Sequence, residues 1–239
     1  MLWYKAWLET RSRFLTLLCG MTAILIFFVH HAESVLLPKP EIDTYQMLYF
    51  ANHYLVGLWV LSVVLLGMGG LIRERAAGAS SFTLALPVSR LRLVGVQIAM
   101  GVAESVALAA IPWGAILLTS HLNAREFPIS QAAFYAVLLV AGGLSYFGLS
   151  VLVSSLIEGE FTAPAVAYGV TVLSGIVFGT VESFRPYLDV WRFMGGDNQL
   201  NKSTYLLTGP FPWASTIASL TVAAMLLGAA VVVIQRQEF

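Results

Sequence analysis

Hydrophobic positions in this chain neither alternate nor recur on one helical face. They fill whole stretches on every side, and charged residues return mainly between the stretches. Six such stretches lie near residues 14–35, 54–72, 93–120, 132–157, 161–181 and 210–234. The second, taken as a helix, would be about 28 Å long, close to the ~30 Å hydrocarbon core of a bilayer. Inside lipid a backbone must satisfy its own amides, so a stretch that is apolar all round predicts a helix. A membrane β-barrel would instead alternate apolar and polar positions in segments of about ten residues. The expectation is an all-α integral membrane protein, one domain of six transmembrane helices.

The segments between the stretches have patterns of their own. Before residue 14, Trp3, Tyr4, Trp7, Leu8 and Phe14 form one helical stripe, and Lys5, Glu9 and Arg13 form another at i, i+4 spacing. That predicts a short interfacial amphipathic helix ahead of the first span, its indoles at headgroup level. Glu158-Gly-Glu160 is the whole connection between the fourth and fifth spans, so those helices are expected to be antiparallel neighbours. The connection at 182–209 is patterned too: Phe184, Tyr187, Leu188 and Trp191 fall at i, i+3, i+4 and i+7, with Glu182, Arg185, Asp189 and Arg192 opposite and Gly195-Gly196 closing the run. This predicts an amphipathic helix on the outer surface, with Phe184, Tyr187 and Trp191 turned toward the membrane. At 73–92, Phe82, Leu84 and Leu86 stand between Arg73, Arg75, Arg90 and Arg92, with Ser80 a plausible helix cap and Pro87 a stop. Exposed apolar side chains among arginines need a membrane or a protein partner to cover them.

Composition supports this class: 58% of residues are apolar and 11% charged, where a soluble protein carries about 25% charged residues. Lipid therefore replaces water over most of the surface. Net charge is zero and gives no indication of nucleic acid. Eight basic residues (Lys5, Arg11, Arg13, Arg73, Arg75, Arg90, Arg92, Arg236) fall on one side of the predicted spans and five on the other. The positive-inside bias puts both termini and the 73–92 loop in the cytoplasm, as expected of a multi-pass protein of the cell membrane. The single Cys19 cannot form an internal disulfide, and no small-residue cleavage site follows the first apolar stretch, which reads as a retained span.

Glu74-Arg-Ala-Ala-Gly78, followed by Phe82-Thr-Leu-Ala-Leu-Pro-Val-Ser-Arg90 directly after the second span, resembles the permease subunits of the ABC-2 (type V exporter) family. That family carries a Glu, a Gly four residues on, and a "leu-ala-x-pro-val-ser-arg" stretch at this place. The resemblance extends to the amphipathic N-terminus, the six spans, the structured outer loop and the short basic tail. It implies that Glu74, Arg75, Gly78, Phe82, Leu84 and Leu86 form a coupling helix docking on a separate ATP-binding subunit. ATP and Mg would be held by that partner, a second permease copy or paralogue would complete the pathway, and the outer helix would be a re-entrant element.

The chain has no G-x-x-x-x-G-K-[ST] loop, so no cofactor site is expected here and any ATP hydrolysis belongs to another polypeptide. Glu104 is the one acidic residue deep inside a span, about 16 Å along the third helix from Leu93, with Gln97 seven residues earlier on the same face. An intramembrane carboxylate marks either a transport path or a hydrogen bond to a neighbouring helix. Gly175-Ile-Val-Phe-Gly179, Ala165/Gly169 and Ala224/Gly228 offer small-residue packing surfaces, within one subunit or between two. Two other functions compete. Gly148-Leu-Ser150-Val151 resembles the nucleophile segment of rhomboid-type proteases but lacks the following glycine, and no H-E-x-x-H is present for a metal hydrolase. An ion-coupled carrier would depend on Glu104 alone. No metal site is expected from His30, His31, His53 or His121.

Overall fold

The computed structural model describes residues 2–35, 44–68, 89–122, 127–157, 159, 161–180 and 189–236. These form α1 (Leu2–Val35), α2 (Thr44–Gly67), α3 (Arg90–Leu122), α4 (Ile129–Leu156), α5 (Thr162–Thr180), a short α6 (Val190–Gly195) and α7 (Trp213–Arg236). Among the described residues there is no strand, only an isolated antiparallel bridge between Leu200 and Leu207. All the helices except α6 are long and apolar enough to cross a membrane. The chain is thus a six-span helical protein by length and composition.

Three expected boundaries are corrected. The N-terminal amphipathic segment is not a separate interfacial helix, because α1 runs unbroken for 34 residues. At about 1.5 Å per residue it is about 51 Å long, so one end must project beyond the hydrocarbon. No proline or glycine precedes Gly20 to break it. Its inward stripe is Ala6, Phe14, Met21 and Leu25, all buried, while Trp3 and Tyr4 are exposed. The second helix begins at Thr44, ten residues before the apolar stretch. Its polar first turns hold because Gln46, Tyr49, Asn52 and His53 find partners in segment 195–205. The last helix starts at Trp213, after Pro210 and Pro212, and α3 continues through Pro112.

The middle of the bundle is α4, which packs on α2, α3, α5, α6 and α7. Its sequence explains this position. Without a hydrophobic drive between helices in lipid, close approach depends on small residues and shared polar groups. A Cβ on Gly143 would collide with the Trp59 ring of α2, one on Gly142 with Met194 of α6, and one on Gly148 would press the α7 backbone at Ala223. Hydroxyls fasten the same contacts. Ser150 Oγ donates to the Val64 carbonyl at 2.6 Å, and Ser219 Oγ of α7 donates to the Gly142 carbonyl at 2.9 Å. Interhelical bonds of this kind contribute about 0.6 kcal/mol on average. The turn into α5 passes through Gly159 at φ +132, where a side chain would also strike Thr162. This produces the antiparallel α4–α5 pair expected from the three-residue connection.

The two ends of the bundle differ. Leu2, Leu93, Val94 and Ile234 cluster at one end, so the described starts of α1 and α3 and the end of α7 lie together. Arg13 Nη1 donates to the Met68 carbonyl at 3.1 Å, which adds the end of α2 to that group. The described end of α2 and the start of α3 therefore both pack on α1. At the far end, the segment 189–212 forms a polar and aromatic cover.

Candidate functional site

At the first end, Arg13 supplies a charged donor to a carbonyl just past the last turn of α2, where helix carbonyls lack intrahelical partners and the dipole is negative. This steadies the chain where it enters the loop expected to couple to a partner. Beside it, α1, α3 and α4 enclose a cleft of ≈ 50 Å³ lined by Glu9, Thr10, Gln97, Gly101, Phe147 and Ser154. Gln97 therefore lines a small, mostly apolar cleft together with Glu9, Thr10 and Ser154. Glu104 lies beyond Gly101 and is 3% exposed. One of its carboxylate oxygens shares a short hydrogen bond with the Thr10 hydroxyl, while Oε2 is buried without a partner. Of the two readings of Glu104, the observed contact is the helix-to-helix bond. Thr10 contacts Glu104 and also lines the cleft that holds Gln97; no contact joins Gln97 to Glu104 among the described residues.

The proposed coupling residues Glu74, Arg75, Gly78, Phe82, Leu84 and Leu86 lie outside the described residues, as do Phe184 and Tyr187 of the outer helix. Trp191 is described. Its indole donates to the Thr171 carbonyl at 3.3 Å and fills the space that a Cβ on Gly175 would need. Gly179 likewise faces the Asp189 carboxylate. The G-x-x-x-G pair of α5 thus seats the outer loop of its own chain.

At the far end, Asp189 caps α6 by accepting from the Arg192 amide at 3.1 Å, and Gly196 ends it in the left-handed conformation. Asp197 follows at once and gathers α2. Tyr49 donates its hydroxyl to Asp197 Oδ1 at 3.2 Å, and His53 Nε2 lies 3.5 Å from the same oxygen. Asn52 donates to the Gly195 carbonyl at 3.3 Å. Gln131 binds both backbone groups of Leu207, at 3.2 and 2.9 Å, and so pins the return strand to α4. Under this cover Trp113 and Tyr135 stack at 4.9 Å. Tyr135 Oη, Asn52 Oδ1, Gln199 Oε1 and Arg192 Nε are buried without partners. Buried polar atoms of this kind mark places for water or a ligand.

Sequence reasoning missed Thr10, Arg13, Tyr49, Asn52 and Asp197. Its one available signal was the density of Tyr, Gln, Asn and His at residues 45–53, too polar for a span and too regular for a turn. Ser150, the nucleophile of the enzyme reading, is fully buried and its hydroxyl is committed to the Val64 carbonyl. Among the described residues no group of three or more His, Cys, Asp or Glu is placed to hold a metal. No protein-family model, curated protein or solved structure matches the chain.

Proposed function

We propose that this chain is the membrane-spanning permease subunit of an ATP-driven exporter. In this reading it works with a separate ATP-binding subunit, which carries ATP and Mg, and with a second permease copy or paralogue in the cell membrane. The observation that carries the reading is the segment between Gly67 and Arg90. It is an arginine-flanked apolar stretch with the Glu74, Gly78 and Pro87-Val-Ser-Arg90 pattern of ABC-2 permeases, and it connects α2 and α3, which both pack on α1 where the segment begins and ends. Two features support it further. Arg13 fixes the point where the segment leaves α2, so a push on the segment is delivered to a held helix end rather than to a frayed one. The Thr10–Glu104 bond then ties α1 to α3, which joins both helices bordering the segment to one strut.

On this reading, closure of the ATP-binding subunits moves the 73–90 segment, and the rigid α1–α2–α3 corner carries the motion to the outer cover. The test is purification of the tagged chain from its native membrane. An ATPase should accompany it, and Glu74→Ala with Gly78→Leu should reduce the recovered ATPase by about tenfold, a loss of about 1.4 kcal/mol of association, with insertion unchanged. Equal ATPase recovery with the doubly substituted chain would remove the coupling assignment. Absence of any ATPase, with activity retained by the isolated chain, would remove the exporter reading as a whole.

A further inference from the structure

A crevice of ≈ 600 Å³ opens at the far end, between α2 and α5 and floored by α6. Its volume is that of a small-molecule site, about 300–1,000 Å³. One wall is apolar: Val172 and Ile176 of α5, both also exposed on the outside of the bundle. The opposite wall and floor carry His53, Asp189, Arg192 and Asp197. The crevice thus joins a surface suited to an acyl chain with a charged recess, at the depth of the outer cover.

The charge in that recess is unbalanced. Two carboxylates, Asp189 and Asp197, line it against one guanidinium, Arg192, with the His53 imidazole beside Asp197. Asp189 spends Oδ1 on the Arg192 amide, and Asp197 spends Oδ1 on Tyr49 and His53. Among the described residues, Oδ2 of neither carboxylate receives a hydrogen bond. A carboxylate partly withdrawn from water beside apolar walls is stabilised by a cation with N–H donors or a diffuse positive charge. Trp191 brings an aromatic ring to the same lining, a further attraction for such a cation. Among the described residues, Arg192 Nε in the lining has no acceptor, and the Tyr135 hydroxyl is buried without a partner.

We propose that this crevice binds an ammonium-bearing amphiphile, its head against Asp197 and Asp189 and its chain along Val172 and Ile176. An anionic head would meet two carboxylates there, and a neutral one would leave them uncompensated. The inference concerns binding alone and does not depend on an ATP-binding partner, so it can fail or stand separately from the exporter reading.

The experiment is native mass spectrometry of the full chain in maltoside micelles. It is titrated with phosphatidylethanolamine, phosphatidylglycerol and diacylglycerol of matched acyl chains. Phosphatidylethanolamine should be retained about tenfold more strongly than either of the others. Asp197→Asn, which keeps an acceptor for Tyr49, should abolish that preference. Ile176→Trp, which breaks no side-chain hydrogen bond and fills the crevice, should lower retention of phosphatidylethanolamine as well. Displacement of the bound lipid by dodecylammonium identifies the ammonium group as sufficient. Resistance to dodecylammonium, with loss in both variants, identifies the intact lipid as the ligand. Equal retention of phosphatidylglycerol, or unchanged retention of phosphatidylethanolamine in both variants, overturns the proposal.

Discussion

Thr10 has one hydroxyl proton and three acceptors within reach, the Ala6 carbonyl at 3.1 Å, the Trp7 carbonyl at 3.5 Å and the carboxyl group of Glu104. If Glu104 only accepts, the proton goes to it, and the second carboxyl oxygen stays buried and bare. A side chain of the same shape that donates would do better: it gives to Thr10 Oγ1, and Thr10 gives to Ala6. Glutamine is that side chain. Glu104→Gln should therefore leave the thermal unfolding midpoint in micelles unchanged, whereas Thr10→Val should lower stability by about 0.6–1 kcal/mol, the range for polar contacts between membrane helices. A glutamine variant as unstable as the valine one would show that charge, not the contact, holds the seam. The position of Glu104 was legible in the sequence because an acid in an apolar run stands out. Its partner was not, because Thr10 lies 94 positions away in a segment read as lying on the membrane. Pairing across helices depends on rotation and register, which a hydropathy profile does not contain.

At the scale of elements, the apolar stretches located the helices and misjudged where they stop. Hydropathy marks where lipid begins; a helix continues for as long as its backbone is uninterrupted and its side chains find partners. Two of the corrected starts, Leu2 and Thr44, are of this kind. In α1 the residues read as a lipid-facing stripe are split, with Phe14 buried against the bundle and Trp3 exposed. In α2 the polar turns are held by Asp197, Gly195 and Tyr205. The glycine spacing of α5 was legible as a packing surface, and the structure supplies an occupant. Trp191 lies where a Gly175 Cβ would approach its ring to 2.6 Å, whereas a Cβ on Gly169 meets nothing within 4 Å. Gly175→Ala should thus destabilise the chain by about 1–3 kcal/mol through overpacking, and Gly169→Ala should not. In a Trp191→Ala background the cost of Gly175→Ala should largely vanish, since the two residues share one space. If the cost is the same in both backgrounds, the glycine serves some contact other than the outer loop.

The whole molecule is asymmetric from end to end, and the asymmetry bears on direction in the membrane. One end collects the starts of α1 and α3, the end of α7 and the Arg13 cap on α2, with Arg90 and Arg92 in the first turn of α3. The other is closed by a capped turn, an Asp197-centred hydrogen-bond group and the Gln131 clamp. A segment that must be gripped by a cytoplasmic motor belongs on the first end, and a crevice that takes an amphiphile from the outer leaflet belongs on the second. The exporter reading therefore requires one orientation, the one given by the excess of arginine and lysine at the first end, and in it the crevice opens to the outer leaflet. The chain has one cysteine, Cys19, which permits a clean test in a Cys19→Ser background. Ser81→Cys should react with a membrane-impermeant maleimide only after the cytoplasmic face is opened. Lys202→Cys, on an exposed position of the outer cover, should react in intact cells. Arg13→Ala should preserve both reactivities, since it loosens one helix end and leaves the charge bias in the majority. Labelling of Ser81→Cys from outside would put the arginine-flanked segment where no ATP-binding subunit can reach it and the crevice in the cytoplasmic leaflet. The exporter reading would then be lost, while the crevice could still bind an ammonium amphiphile from the opposite side.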